Sequence, residues 1–402
     1  MRILVLDTIH GGDLIAGGLR ERGHACTAVD VYRGDAAVVR EVRASDFDLV
    51  TAPVHLDPAH PLLHLPLPSI THHEAVRWLL SGEDLPHPFI EVTGKQGKTT
   101  TAHAIAHTLP GAGILHTSSG TFRYPERERL YRASITPASL LRAVHEADRV
   151  QGWLVAEVSL GVTGAGDIAV LTSDLDYPIA GGKKSAIVAK MASLAQARRV
   201  IVPATLPCPG GRTGDMVSLD GNTCRYRSGQ VAGSFANPLL ETEPYRSALP
   251  VAAAVALLTG GDPSQLSEFT AVPGRMEVIR DGTWCVLNDS NSGINRETCH
   301  AAAEYAHEND LPGPYVLVIG EESRAVCEGF SAPDAATTIL SLRPDAVVTI
   351  GSDEYGATVR DILREAGFEN PPCHRRTLED GLSTAKARGS GGTIIATVKT
   401  WR

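Results

Sequence analysis

The sequence predicts an α/β protein of three domains, the central one opening on a phosphate-binding loop and the last one Rossmann-like. Three observations predict it. The first thirty or so residues read strand, loop, helix, strand, a βαβ beginning of the kind that builds parallel sheets. An apolar run, Phe89-Ile90-Glu91-Val92, stops at Thr93 and passes through a glycine-bracketed loop into a helical pattern. After Pro273-Gly274-Arg275, strand and helix patterns alternate plainly toward the C-terminal end. A chain of 402 residues is also too long for one ordinary core. The expected domains are residues 1–87, 88–272 and 273–402.

Composition narrows the class. Apolar content of 43% with 21% charged residues is that of an ordinary globular protein. The longest apolar runs, such as residues 315–319, are far too short to span a membrane. A net charge of −9 argues against nucleic acid as a partner. The seven cysteines, at 26, 208, 224, 285, 299, 327 and 373, are odd in number, widely spaced and without a C-x-x-C pair. Neither a disulfide framework nor a zinc knuckle is indicated, and a reducing cytoplasm is the expected compartment. The start reads as a first strand rather than a signal peptide, because Asp7 and His10 cut the apolar run short.

Taken in order, a strand over 2–6 leads into Asp7-Thr8-Ile9-His10-Gly11-Gly12, then a helix from about 13 to 22 and a strand over 25–31. Gly11-Gly12 lacks the G-x-G-x-x-G spacing of a dinucleotide fingerprint. A third strand is expected over 49–52. Residues 53–88 are dense in proline and histidine, and the first boundary falls near their end. The central segment continues with a strand over 113–117, Ser118-Ser119-Gly120-Thr121, and a helix start at Thr136-Pro137, threonine as cap and proline in the first turn. Residues 153–158 are an apolar run with one carboxylate, Glu157, and 170–174 a strand running into polar residues. A helical period covers 185–197 and a strand 199–203. Turn signals at Cys208-Pro209-Gly210-Gly211 and Asp220-Gly221-Asn222 suggest antiparallel strands between 204 and 250. An alanine-rich helix is expected over 249–259. In the last segment strands are expected over 284–287, 315–319, 346–350 and 393–398, with helices between them.

The strongest chemical signal is Gly94-Lys95-Gln96-Gly97-Lys98-Thr99-Thr100. Glycine lets the backbone turn tightly and bring its N–H groups to a ligand, and a following helix N-terminus favours anionic oxygens. Lys98 can reach the terminal phosphates of ATP and the Thr99 hydroxyl a magnesium ion. The usual pattern wants glycine where Val92 stands, so this is a shorter form. A glycine-rich turn with an exposed lysine is the plainer alternative; strand, loop, Gly-Lys-Thr and helix in this order favour the phosphate loop. Magnesium takes one or two carboxylates plus phosphates, which suits Glu157 at a strand end, against a merely solvent-facing glutamate.

Asp174 and Asp176 either hold a second magnesium or a water, or simply form turns. Lys183, Lys184 and Lys190 read as solvated surface lysines, unless one neutralises a transferring phosphoryl group. Asn288-Asp289-Ser290-Asn291 follows a strand at the end where α/β sheets bind ligands, and reads either as a nucleotide loop or as an Asx-rich turn capping the next helix. Arg275 would bridge to phosphates or pair on the surface. His10 with Gly11 and Gly12 is a candidate contact for a carboxylate or a metal-bearing substrate, against a structural loop histidine. His55, His60, His64, His72, His73 and His87 have no regular metal spacing and read as polar loop residues, against axial ligation or a carboxylate contact to a substrate.

In this order the stretches resemble the Mur ligase superfamily, which includes the peptidoglycan amino-acid ligases and folylpolyglutamate synthase. Thr93 to Thr100 resembles its Thr-Gly-Thr-x-Gly-Lys-Thr-Thr, Thr136-Pro137 its Thr-Pro-Glu helix start, and Gly274-Arg275-Met276-Glu277 the Gly-Arg-x-Glu that opens its C-terminal domain. The resemblance implies Glu157 as the magnesium glutamate, Lys190 as the counterpart of a carbamylated lysine, and Asn288-Asp289 as a nucleotide-contacting loop with Asp289 near the ribose. Thr172-Ser173-Asp174-Leu175-Asp176-Tyr177 departs from Thr-Asn-x-x-x-Asp-His by lacking the histidine that holds a second magnesium, and no His-Asn-x-x-Asn precedes residue 249. Along its whole length the chain looks like one divergent branch, the coenzyme F-430 synthetases of methanogenic archaea. That resemblance implies ATP between the second and third domains and a substrate against the first. It also implies a ligation within one molecule. A side-chain carboxylate of a nickel-tetrapyrrole precursor becomes an acyl phosphate, and a carbon of the same macrocycle displaces phosphate to close a ring. An amide ligase adding an amino acid, and a nucleotide-gated tetrapyrrole carrier, are the rival expectations.

Overall fold

The βαβ beginning forms as its pattern predicts. β1 (Arg2–Leu6) is buried over four of its five residues, because helices cover one face and the loops after it the other. It pairs in parallel with β2 (Ala25–Val29) and β3 (Leu49–Ala52), and β3 with β4 (Ser69–Thr71), in the order β2-β1-β3-β4. Three helices belong to this sheet, α1 (Gly12–Glu21), α2 (Ala36–Glu41) and α3 (His72–Leu80). α3 starts on a reciprocal cap. The Thr71 hydroxyl accepts from the Glu74 N–H, and the Glu74 carboxylate accepts from the Thr71 N–H. His72 and His73 therefore lie in the first turn of a helix and are buried, which corrects the expectation of polar loop histidines for this pair.

The computed structural model describes residues 1–34, 36–203, 206, 213–322 and 329–400; Cys208, Cys327 and the turn expected at Cys208 lie outside them. The chain divides into two compact units, Met1–Phe269 and Thr270–Arg402. The first unit continues with β5 (Phe89–Thr93), α4 (Lys98–Thr108), β6 (Gly113–Thr117), β7 (Gly120–Tyr124), β8 (Glu128–Tyr131), α5 (Ser139–Arg149), β9 (Trp153–Glu157) and β10 (Ile168–Leu171). A short hairpin, β11 (Pro178–Ile179) and β12 (Lys184–Ser185), precedes α6 (Ala186–Leu194) and β13 (Val200–Ile201). The seven-stranded sheet runs β13-β10-β5-β9-β6-β7-β8, parallel from β13 to β6 and antiparallel beyond. One apolar core joins it to the N-terminal sheet. Ile3, Ile15, Val76 and Leu79 pack in the same cluster as Phe89, Ile114, Leu140 and Leu154.

Two helix starts differ from expectation. α5 begins at Ser139, because Thr136-Pro137-Ala138 forms a separate tight turn in which the Thr136 carbonyl accepts from the Ser139 N–H at 3.0 Å. α7 (Glu243–Thr259) starts earlier than residue 249. Pro250 lies in its interior, and Pro244 takes the first turn. β14 (Val217–Asp220), β15 (Thr223–Ser228) and β16 (Val231–Ala236) form the expected antiparallel sheet.

The second unit is a Rossmann-like layer of β17 (Glu277–Asp281), β18 (Trp284–Asn288), α8 (Arg296–Glu308), β19 (Tyr315–Glu321), α9 (Ala332–Leu342), β20 (Ala346–Ile350), α10 (Asp353–Glu365), β21 (Cys373–Arg375), α11 (Leu378–Lys386) and β22 (Gly392–Lys399). Its order is β17-β18-β22-β19-β20-β21, with only the edge pair β17–β18 antiparallel. β22 is buried over its whole length, as a central parallel strand must be. Among the described residues no helix is long and apolar enough to cross a membrane.

Candidate active site

Strand order gathers the chemistry. β5 lies between β10 and β9, with β6 beyond β9, so four parallel strands end side by side. The phosphate loop leaves β5, Ser118 follows β6, Glu157 closes β9, and Thr172-Ser173 follows β10. Gly94 and Gly97 hold φ of 152° and 78°, and a Cβ on Gly94 would lie 2.1 Å from Thr172 Oγ1. Gly97 caps α4 with no side chain, which leaves the amides of its first turn for an anion. Ser173 Oγ accepts from the Lys95 N–H at 3.1 Å and the Gln96 N–H at 3.4 Å, and the Thr172 hydroxyl donates to the Gln96 carbonyl. The neighbouring strand thereby fixes the shape of the loop.

Glu157 is 2% exposed. Its Oε2 accepts from the Thr99 hydroxyl at 2.9 Å and from the Ser118 N–H at 3.0 Å, while Lys98 Nζ lies 3.8 Å from Oε1. Ser118 Oγ is 3.1 Å from Thr99 Oγ1. The donor set fits magnesium: adjacent oxygens of an octahedron with bonds of about 2.0–2.1 Å lie about 2.9 Å apart, the separation that Thr99 and Glu157 already have. Ser118 and Ser173 were not singled out in the sequence. Each directly follows a strand, but only the pairing order shows that those strands flank β5 and β9.

Lys190 corrects an expectation. It is fully buried on α6, its amine has no hydrogen-bond partner among the described residues, and it lies 4.4 Å from the centre of the Tyr177 ring. Burial, then repulsion from Lys98, outweighs the pull of Asp176 and lowers its pKa to about 8. Lys183 pairs with Asp57 at 2.6 Å, and Lys184 donates to the Val54 and Leu56 carbonyls at 3.1 and 3.2 Å. Asp176 is a capping residue, accepting from the Ser185 hydroxyl at 2.7 Å and the Ile187 N–H at 3.0 Å. Asp174 is exposed in the same connection. An open cleft of about 520 Å³ runs along this hairpin, lined by Asp176, Tyr177, Lys183 and Lys184 among others. Among the described residues no group of three or more His, Cys, Asp or Glu is placed to hold a metal.

The first strand-to-helix loop is organised by Asp7. Its buried carboxylate accepts from the Ile9 N–H at 2.7 Å, the His10 N–H at 3.0 Å and His10 Nδ1 at 3.2 Å. Burial alone would raise this carboxyl, but these bonds outweigh it and hold the group below the usual carboxylate range. The His10 ring meets His55 edge-on at 4.8 Å and Tyr32 at 5.0 Å. His55, His72 and His73 are each lowered to about 4, chiefly by burial. Gly11 holds φ of 101°, and a Cβ there would lie 2.6 Å from Ala138 Cβ. His60 accepts from the Leu62 N–H, and His87 meets Asp167 at 2.9 Å, both as local anchors.

In the second unit Arg275 donates to Asn291 Oδ1 at 2.7 Å, and Asn291 donates to the Gly274 carbonyl at 3.0 Å. Asp289 is buried and accepts from the Met276 N–H at 3.1 Å; burial raises its carboxyl to about 7 despite Arg275. Asn288 Oδ1 accepts from the Ser290 N–H at 3.2 Å, and Asn295 caps α8 with Thr298. Asx turns thus shape this loop, and Asn295 caps the helix that follows.

Residues 279–400 match the family described as coenzyme F430 synthetase CfbE, C-terminal domain. Coenzyme F(430) synthetase of Methanosarcina acetivorans is 28% identical in an alignment covering 100% of this chain and 99% of that protein. UDP-N-acetylmuramate-alanine ligase of Thermotoga maritima superposes with a TM-score of 0.51 at 16% identity, covering 99% of this chain and 95% of that one. The D-alanyl-D-alanyl-adding UDP-N-acetylmuramoyl-peptide ligase of Acinetobacter baumannii gives 0.55 at 15% identity, covering 92% and 86%. The chain has the fold of the Mur ligases, and its resemblance in sequence is to the coenzyme F430 synthetases.

Proposed function

We propose that the protein is an ATP-dependent ligase that activates a side-chain carboxylate of a nickel-tetrapyrrole precursor as an acyl phosphate and closes a carbocyclic ring, giving coenzyme F430. The observation that carries the ligase reading is the convergence of Thr99, Ser118 and Lys98 on the buried Glu157, beside a loop turned by Gly94 and Gly97 at positive φ. The substrate rests on the full-length resemblance to a coenzyme F(430) synthetase.

In this reading the amides from Gly94 to Thr100 and the Lys98 ammonium hold the terminal phosphates. Thr99, Glu157 and Asp174 would hold magnesium, which when bound neutralises charge on the transferred phosphoryl group. Lys190 on α6, close enough to Lys98 for the two charges to repel, would add positive potential where acyl phosphate forms. Residues 1–87 form the substrate-binding segment, with His10, Gly11 and Gly12 touching the tetrapyrrole. Residues 88–272 bind ATP, and in residues 273–402 Arg275, Asn288 and Asp289 contact the nucleotide. The cytoplasm is the proposed compartment.

Phosphate release from ATP and magnesium is measured with the seco nickel-tetrapyrrole acid and no added amine. Substrate-dependent release, with loss of one water from the tetrapyrrole mass, is expected. Release only after an amino acid is supplied would establish an amide ligase instead. Tight binding without release would establish a carrier. Lys98→Ala is expected to lower release by at least about 100-fold; undiminished release would remove the phosphate-loop assignment.

A further inference from the structure

We propose that His10, oriented by Asp7, is the general base that takes the proton released when the acceptor attacks the acyl phosphate. The proposal rests on the ligase reading above. A ligase of this kind needs two kinds of help. Forming the acyl phosphate needs phosphate binding and positive charge, which the loop, Lys98 and Lys190 supply. The second step needs a proton acceptor. The acceptor atom forms a bond to the carbonyl carbon, the carbon–oxygen bond to phosphate breaks, and its electron pair leaves on the phosphate. The acceptor atom, carbon or nitrogen, must lose a proton to restore its valence.

Among the described residues packed around the first loop, His10 is the one histidine with a ring nitrogen on a carboxylate. Its Nδ1 donates to Asp7 Oδ2 at 3.2 Å, which leaves Nε2 as the nitrogen with a free lone pair. Asp7 is fully buried, so its charge stays beside the ring and would stabilise the imidazolium formed. The His10 side chain is 20% exposed, within reach of a substrate. The other histidines are occupied or shut in. His73 Nε2 bonds to the Ser159 carbonyl at 2.9 Å, and its Nδ1 is buried. His72 Nε2 is buried without a partner, and His55 has no carboxylate bonded to its ring among the described residues. Asp7 also sits at φ of 95°, an uncommon conformation for a residue with a side chain, maintained by the same bonds that aim His10.

Position agrees with the role. A Cβ on Gly11 would lie 3.1 Å from Thr136 Oγ1, so the loop rests on the turn before α5. The next residue back, Ile135, accepts from the Ser159 N–H at 2.8 Å, two residues after Glu157. On its other side His10 meets His55, whose flanking carbonyls at Val54 and Leu56 hold Lys184 of the cleft hairpin. Contacts of the first loop thus link His10 on one hand to the turn that holds Ser159 after β9, and on the other to the segment that holds Lys184 of the hairpin.

The test separates the two steps. Wild type and His10→Gln are incubated with ATP, magnesium and the seco nickel-tetrapyrrole acid, with hydroxylamine added to trap acyl phosphate as hydroxamate. The ratio of ring-closed product to hydroxamate is expected to fall by at least about 100-fold in His10→Gln. In His10→Ala, added imidazole is expected to restore ring closure. An unchanged ratio, with both products falling together, would make His10 a binding or structural residue and overturn the proposal, as would no rescue by imidazole. Absence of both ring-closed product and hydroxamate with wild type would instead overturn the ligase reading on which it rests.

Discussion

Ile187, Lys190, Met191 and Leu194 recur at the spacing of one helix face, and Ile187, Met191 and Leu194 pack in one cluster with Val162 and Leu171. Lys190 is buried because it shares that face, a signal present in the sequence but outweighed by its setting in a lysine-rich stretch. A buried amine without a hydrogen bond costs about 1–3 kcal/mol, so Lys190→Met is expected to stabilise the protein by that order at pH 7 while lowering turnover. The sign follows from the depressed pKa. Between about 8 and the ordinary lysine value the unfolded chain binds the proton that the folded one has shed, so wild-type stability rises with pH across that window. The advantage of Lys190→Met in urea titrations should therefore shrink above pH 8; a constant advantage would mean that the folded amine keeps its ordinary pKa. Glu157 was legible because a strand-end carboxylate near a phosphate loop is a local pattern. Ser118 and Ser173 were not, because their role depends on which strands neighbour each other.

At the scale of elements, α3 buries two consecutive histidines that the sequence presents as part of a proline- and histidine-rich linker. The Thr71–Glu74 cap was written in the sequence, but burial of the helix comes from packing against α1, α5, β3 and β4. His55, His72 and His73 are held neutral in the folded protein down to about pH 4. An unfolded histidine protonates near pH 6.5, so below that value the unfolded chain binds more protons and stability falls as pH falls from about 6.5 to 4. His72→Leu is expected to reduce that slope by up to about one proton, about 1.4 kcal/mol per pH unit where the two states differ fully. The measurement is the urea midpoint at half-unit steps of pH. An unchanged slope would place the acid sensitivity elsewhere. The central loop and the helix after it followed directly from glycine spacing, whereas α7 begins at Glu243, ahead of the alanine-rich run at 249–259 that marks it in the sequence.

At the scale of the whole chain, the sequence presents three domains and the structure two compact units. Domain signals in a sequence are changes of composition along the chain, but cooperativity follows shared burial, and the proline-rich stretch before residue 88 interrupts the first without interrupting the second. Leu79 on α3 and Leu140 on α5 belong to one apolar cluster although they lie on opposite sides of the expected boundary. The second unit has its own core, which includes Val318, Ile350 and Ile394. Calorimetry is therefore expected to show two transitions, one for each unit. Leu79→Ala and Leu140→Ala should each cost about 2–5 kcal/mol and should lower the same transition, leaving the other in place. If the two substitutions moved different transitions, the N-terminal sheet would be an independent domain after all. A shared transition has a consequence for catalysis. Within this unit the Asp7–His10 loop and the phosphate loop are held by one core, so under the proposed function a substrate on the first and a phosphoryl group on the second would be positioned by the same packing, and core substitutions between them should then lower ring closure more than acyl phosphate formation.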